Sequence, residues 1–200
     1  MALLIGFTGK AESGKNSASV CAEELIKSSG YSLYSLAFAD SVKELAAKVF
    51  NVPHHKFIVN KHQICEKWGM TYRELLQLFG TDFARDMIHP DFWVKKFDER
   101  FKELSSNGTN IVLVTDVRFN NEAEYIINKG GAIISIERPV PNKLNTAAQS
   151  HKSEIPIADT YIFKTIQNDG NLTHLCKAVE FALKPILLSN FLDRDTNGKC

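Results

Sequence analysis

Short apolar runs alternate with polar-interrupted segments of helical period along this chain. ALLIGF (2–7), SLYSLAF (32–38), NIVLVTD (110–116), AIISIE (132–137) and TYIFKTI (160–166) have strand length and strand composition. Between the first two, a helix is predicted from about Gly14 to Lys27, with Val20, Leu25 and Ile26 toward a sheet and Gly30 as stop signal. Strands that alternate with helices predict an α/β fold, here a five-stranded, mainly parallel sheet flanked by helices.

Residues 40–105 break the alternation. They contain no convincing strand, and the segment is too long for an ordinary crossover, so it reads as a helical insertion. One helix starts at Thr71, whose hydroxyl and the Glu74 carboxylate have capping-box spacing, with Leu75, Leu76 and Phe79 on one side. Another runs from about Asp91, with Trp93, Val94, Phe97, Phe101 and Leu104 as its core stripe. Pro139–Pro156 has three prolines and little periodicity, which predicts a long lid-like loop over about 138–156. A closing helix capped by Asn171 follows, with Leu172, Leu175, Cys176, Val179 and Leu183 as its apolar stripe. This gives one domain over 1–188, then a fraying polar tail over 189–200.

Charge and cysteine content narrow the function. With 24 basic and 23 acidic side chains spread evenly, no broad surface for a nucleic-acid backbone is expected. The apolar start is too short for a membrane span. Cys21, Cys65, Cys176 and Cys200 are scattered without a CxxC pair, which reads as reduced thiols of a cytoplasmic protein. The cluster His54, His55, His62 and Cys65 fits no common zinc spacing.

The chemistry is concentrated in two stretches. Gly9-Lys10-Ala11-Glu12-Ser13-Gly14-Lys15-Asn16-Ser17 matches GxxxxGK and departs from it only in lacking a hydroxyl after the lysine. Such glycines let amides wrap a phosphate, the new helix offers unpaired N–H groups, and Lys15 reaches the outer phosphates. Asn16 and Ser17 can meet Mg²⁺ through water. A glycine turn that merely caps a helix is the bland alternative. In the second stretch, TDVRFNNE puts Asp116 at a strand end, where parallel sheets form their ligand crevice, with Arg118 and Glu122 following. The bland alternative there is a capping Asp beside a surface ion pair. Arg73, Arg85 and Arg138 are further candidates for phosphate contacts.

Six stretches carry a family likeness: GKAESGKNS (9–17), LAFADSVKELA (36–46), YRELLQLFGTDFARD (72–86), FWVKKF (92–97), VTDVRFNNEAEYIINKGGAIISIERP (114–139) and SHKSEIPI (150–157). In these the chain resembles the bacteriophage deoxynucleoside monophosphate kinases of the P-loop kinase superfamily. The resemblance implies ATP- and Mg²⁺-dependent phosphorylation of a deoxynucleoside monophosphate, in support of DNA synthesis, within the host cytoplasm if the source is viral. It assigns Gly9, Lys10, Glu12, Ser13, Gly14, Lys15, Asn16, Ser17 and Arg138 to ATP. Lys43, Arg73 and Arg85 go to the acceptor, and Asp116, Arg118 and Glu122 to acceptor and catalysis together with Lys15. His151, Ser153 and Glu154 fall in a mobile cover. The expected partners are therefore small nucleotides rather than nucleic acid or membrane, with oligomeric state open, a homodimer included. Two other readings compete: a P-loop kinase of another small phosphorylated acceptor, and a nucleotide-binding regulator without catalysis. The departure is Asn16-Ser17, where the family commonly has Asp-Thr.

Overall fold

The structure is a computed structural model that describes residues 2–139 and 155–197, with 190–197 as backbone helix alone. In chain order its regular elements are β1 (Leu3–Thr8), α1 (Lys15–Ser28), β2 (Leu33–Leu36), α2 (Phe38–Phe50), α3 (Lys56–Val59), β3 (Ile64–Cys65), β4 (Met70–Thr71) and α4 (Tyr72–Gln77). A π-helical segment (Leu78–Ile88) follows, then α5 (Phe92–Ser106), β5 (Ile111–Val114), α6 (Asn120–Asn128), β6 (Ala132–Glu137), a 3₁₀ turn (Asp159–Tyr161), β7 (Lys164–Gln167) and α7 (Leu172–Asn197). These fall into two compact units, one of Met1–Leu36 with Glu103–Cys200 and one of Ala37–Lys102.

The first unit is built on a five-stranded sheet in the order β2-β5-β1-β6-β7. Every pairing in it is parallel, and β1 in the centre is registered Leu3 to Ile111 on one side and Ile5 to Ala132 on the other. Because side chains alternate along a strand, Leu3, Ile5 and Phe7 share one face with Ile111 and Leu113. That face packs on Ala18, Ala22 and Ile26 of α1 and on Leu175, Val179 and Leu183 of α7. Each buried Leu, Ile, Val or Phe of this layer contributes about 1.5–3 kcal/mol, which anchors both helices firmly. A parallel sheet places all strand C-termini at one edge, and the loops that follow β1, β5, β6 and β7 therefore gather there.

The five expected strands are all present, with shifted ends. Phe38 begins α2 rather than ending β2, and Asp159–Tyr161 form a 3₁₀ turn, so the last strand starts at Lys164. Val20 was expected against the sheet yet is 54% exposed, because Ala18, Cys21, Ala22 and Ile26 define the buried stripe of α1. Leu172 is likewise exposed at the first turn of α7. That helix, started as expected by Asn171 Oδ1 accepting from His174 N (2.9 Å), carries Pro185 internally and continues to Asn197, through the segment expected to fray. The scattered-thiol reading fails for two cysteines: Cys21 of α1 and Cys176 of α7 form a disulfide across the packed helix pair, with Cα atoms 5.1 Å apart. Cys65 is free and buried.

The second unit is mostly helical, but it does contain a strand pair. Ile64–Cys65 and Met70–Thr71 form a short antiparallel ladder that the composition did not signal. Thr71 then caps α4 as expected: its Oγ1 accepts from Glu74 N (3.1 Å) while Thr71 N donates to the Glu74 carboxylate (2.7 Å). These backbone and hydroxyl donors hold the Glu74 carboxyl below the usual range. Trp93, Phe97 and Phe101 are buried as the period of α5 requires, and Trp93 Nε1 donates to Gly80 O (2.6 Å) in the π-helical segment.

Candidate active site

The loop Gly9–Gly14 leaves the C-terminal end of β1 and turns into α1. Gly9 has φ 140° and Gly14 has φ 101°, both in the region that L side chains rarely adopt. Space is also closed to a side chain at both positions: a Cβ at Gly9 would run into Ile136 O of β6, and one at Gly14 into Asn168 Nδ2. Gly14 is the N-cap residue of α1 and supplies no side-chain cap, and the first turn carries no acid. The positive end of the helix dipole is thus not met by an acid of its own first turn, the arrangement that suits an anion. Lys15 Nζ donates to Gly9 O (2.6 Å) and Lys10 O (2.7 Å), which folds the ammonium back over the loop. Asn16 and Ser17 are exposed on the same first turn.

The second stretch lies alongside. Beyond the end of β5, Val117 N donates to Phe7 O (3.0 Å), tying the segment that holds Asp116 and Arg118 to the strand that feeds the loop. Asp116 is half-buried and Arg118 exposed. Arg118 precedes α6 rather than lying on it, so Arg118 and Glu122 are not spaced along one helix. Instead Glu122, only 2% exposed, accepts from Arg118 N (2.8 Å) and Phe119 N (3.2 Å) with one carboxylate oxygen. Glu122 therefore fixes the backbone from which Arg118 projects. Arg138 joins the same group: its Nη2 lies 3.8 Å from where a Gly14 side chain would begin.

The remaining candidates belong to the second unit. Lys43 of α2 pairs with Asp40 (3.2 Å), whose other oxygen accepts from Ala37 N (2.9 Å) at the start of the helix. Arg73 is half-buried on α4. Arg85 is 8% exposed and donates to Pro90 O (3.3 Å), bracing the turn before α5. His151, Ser153 and Glu154, with nearly all of the expected lid, lie outside the described residues.

Asn168 escaped the sequence reading. It follows β7, is 4% exposed, and donates through Nδ2 to Ser13 O (2.8 Å). The available signal was its place directly after a strand, as Arg138 directly follows the neighbouring β6.

Among the described residues, no group of three or more His, Cys, Asp and Glu could hold a metal ion. The nearby donors are an amide oxygen at Asn16, a hydroxyl at Ser17 and a carboxylate at Asp116, all hard oxygens. They fit Mg²⁺ bound mainly by nucleotide phosphates and water, not an all-protein cage.

Residues 41–179 match the family described as deoxynucleotide monophosphate kinase. The chain belongs to that family. It is 32% identical over 149 residues to a putative deoxynucleotide monophosphate kinase of Acanthamoeba polyphaga mimivirus, across 68% of this chain and 75% of that one. It is 27% identical over 101 residues to the deoxynucleoside-5'-monophosphate kinase of Escherichia phage T5, across 48% of this chain and 38% of that one. In fold it is similar to the dephospho-CoA kinase from Campylobacter jejuni, with TM-score 0.51 and 17% identity over 95% of this chain and all (100%) of that one. The fold is that of the P-loop kinases, and as a member of its family the chain is a nucleotide-phosphorylating transferase. Among the described residues no helix is long and apolar enough to cross a membrane.

Proposed function

We propose that the chain transfers the γ-phosphoryl group of ATP to the 5'-phosphate of a deoxynucleoside monophosphate, giving the diphosphate and ADP. The observation that carries this reading is the juxtaposition in one unit of an uncapped, glycine-framed helix start and the Asp116–Arg118 segment, in a member of this family. An acceptor phosphate oxygen attacks the γ-phosphorus as the β–γ bridging bond breaks. That oxygen is already ionised near neutral pH, so alignment and charge neutralisation matter more than a strong base.

The roles follow from the geometry. Loop amides and Lys15 hold the triphosphate, which competes with Gly9 O and Lys10 O for the lysine's hydrogens. Arg118 offers its planar fork to phosphate oxygens at the point of transfer, and Glu122 keeps its backbone in place. Arg138 adds charge beside Gly14. Asn16, Ser17 and Asp116 would hold Mg²⁺ through water, and the ion would neutralise charge on the transferring phosphates. In the second unit Lys43, Arg73 and Arg85 serve the acceptor, with Arg85 also supporting the turn at Pro90 through one N–H. We place the activity in the host cytoplasm on the viral relatives alone, since the disulfide removes the thiol argument for that compartment.

The test is ADP release with the four deoxynucleoside monophosphates and their ribose counterparts. Turnover with at least one deoxynucleotide is expected. Silence with all four, beside turnover of another phosphorylated acceptor, overturns the proposal.

A further inference from the structure

We infer that Asn168 is a positioning residue for the phosphate-binding loop, acting through Ser13. The inference rests on the reading of Gly9–Ser17 as a triphosphate site. Asn168 sits at the end of the outermost strand of the sheet, with its backbone N held by Glu137 O (2.6 Å) of β6. From that fixed base its Nδ2 reaches across to Ser13 O (2.8 Å), a partner 155 residues earlier in the chain. A bond of that span joins the β7 edge to the loop after β1 and is not part of any local turn.

Its effect on the loop follows from peptide geometry. No peptide bond among the described residues is cis, so the carbonyl of Ser13 and the N–H of Gly14 point in opposite directions. Holding Ser13 O toward Asn168 therefore sets the Gly14 amide toward the opposite side of the loop. Gly14 at φ 101° has a soft backbone of its own, and the same Asn168 amide occupies the space where a side chain there would sit. Ser13 Oγ is buried and makes no hydrogen bond among the described residues, so the serine side chain adds nothing to this restraint. Asn168 is itself buried, so it acts on a ligand through the loop and not by touching it.

The test uses Asn168→Asp, which keeps the shape but replaces the donor by an acceptor, and Asn168→Ala, which removes both without adding charge. The probes are ATP and inorganic tripolyphosphate, measured by calorimetry, with steady-state kinetics alongside. Both variants should bind both probes about tenfold or more weakly, the range expected when a buried carbonyl loses its partner. KM for ATP should rise in step, while KM for the deoxynucleotide stays within about twofold. Unchanged tripolyphosphate affinity overturns the inference, and a loss confined to ATP does so too, because it would mean contact with the nucleoside. Absence of cooperative melting in both variants also counts against it, since Asn168 would then have a general structural role. If the wild type binds tripolyphosphate but phosphorylates no nucleotide, the proposed function fails, and the two variants still decide this inference.

Discussion

In the first unit the candidate site combines backbone amides, framed by Gly9 and Gly14 at the end of the buried strand β1, with the side chains of Lys15, Arg118 and Arg138. In the second unit the candidate groups are the long side chains of Lys43, Arg73 and Arg85, with Lys43 bonded to Asp40 and Arg85 to Pro90 O. Backbone donors set by a parallel sheet keep their direction whatever the solvent does. Cations bonded within their own unit, Lys15 as well as Lys43, exchange an internal partner when they take a ligand, so a site built of side chains alone reorganises more than one framed by amides. On the proposed function, donor binding rests more on pre-set amides and acceptor binding more on exchange of side-chain partners.

The sharpest way to probe this difference is to damage the core of the second unit alone. Trp93→Ala removes a buried indole and its bond to Gly80 O, at a cost of about 3–5 kcal/mol. Denaturant unfolding should show that loss. Affinity for ATP should survive in protein that remains folded, whereas the deoxynucleotide KM rises; equal loss of both would erase the contrast. Next in size is Arg118→Ala, expected to lower kcat by about a hundredfold or more, the scale for a group that stabilises transferring charge. An unchanged kcat would confine Arg118 to the surface.

A smaller effect distinguishes the covalent framework of the first unit. Cys21→Ser should lower stability by about 2–4 kcal/mol, and a reducing agent should lower the melting temperature of the wild type but not of the variant. If reduction leaves the wild type unmoved, the helix pair owes nothing to the bond. The smallest effect concerns the cap of α4. The Glu74 carboxyl is held below its ordinary value by Thr71, so its contribution is present above the unfolded-state pKa and is lost as pH falls through the folded value. Melting curves across the acid range should therefore fall more steeply for the wild type than for Glu74→Gln. Parallel curves would show that the cap carries no proton linkage.

Much of the first unit was legible because its chemistry constrains residue type. Only glycine tolerates the backbone at positions 9 and 14, so the loop is written as a spacing, and a buried parallel strand must be an apolar run such as NIVLVTD. The capping box at Thr71 and Glu74 is local for the same reason. What stayed hidden depends on contacts distant in sequence. Asn168 looked like one more polar residue in a turn, and nothing in NDGN announces a partner at Ser13. Cys21 and Cys176 form a pair only because α1 and α7 pack on the same sheet face, a fact of topology and not of spacing. The π-helical segment over Leu78–Ile88 was hidden for another reason, since its apolar positions satisfy a helical period without revealing the wider turn. The TDVRFNNE stretch marked Arg118 and Glu122, but not that the carboxylate holds the arginine's backbone.

The central claim is that the cation at Lys15 and the amides around it hold a donor triphosphate for transfer to a nucleotide. The most direct measurement is deoxynucleotide-dependent ADP production by the wild type and by Lys15→Ala, each with all four monophosphates. The account predicts turnover by the wild type with at least one of them and a loss of about a hundredfold or more in the variant. Equal rates in the two proteins, or no deoxynucleotide-dependent ADP from the wild type, would contradict it.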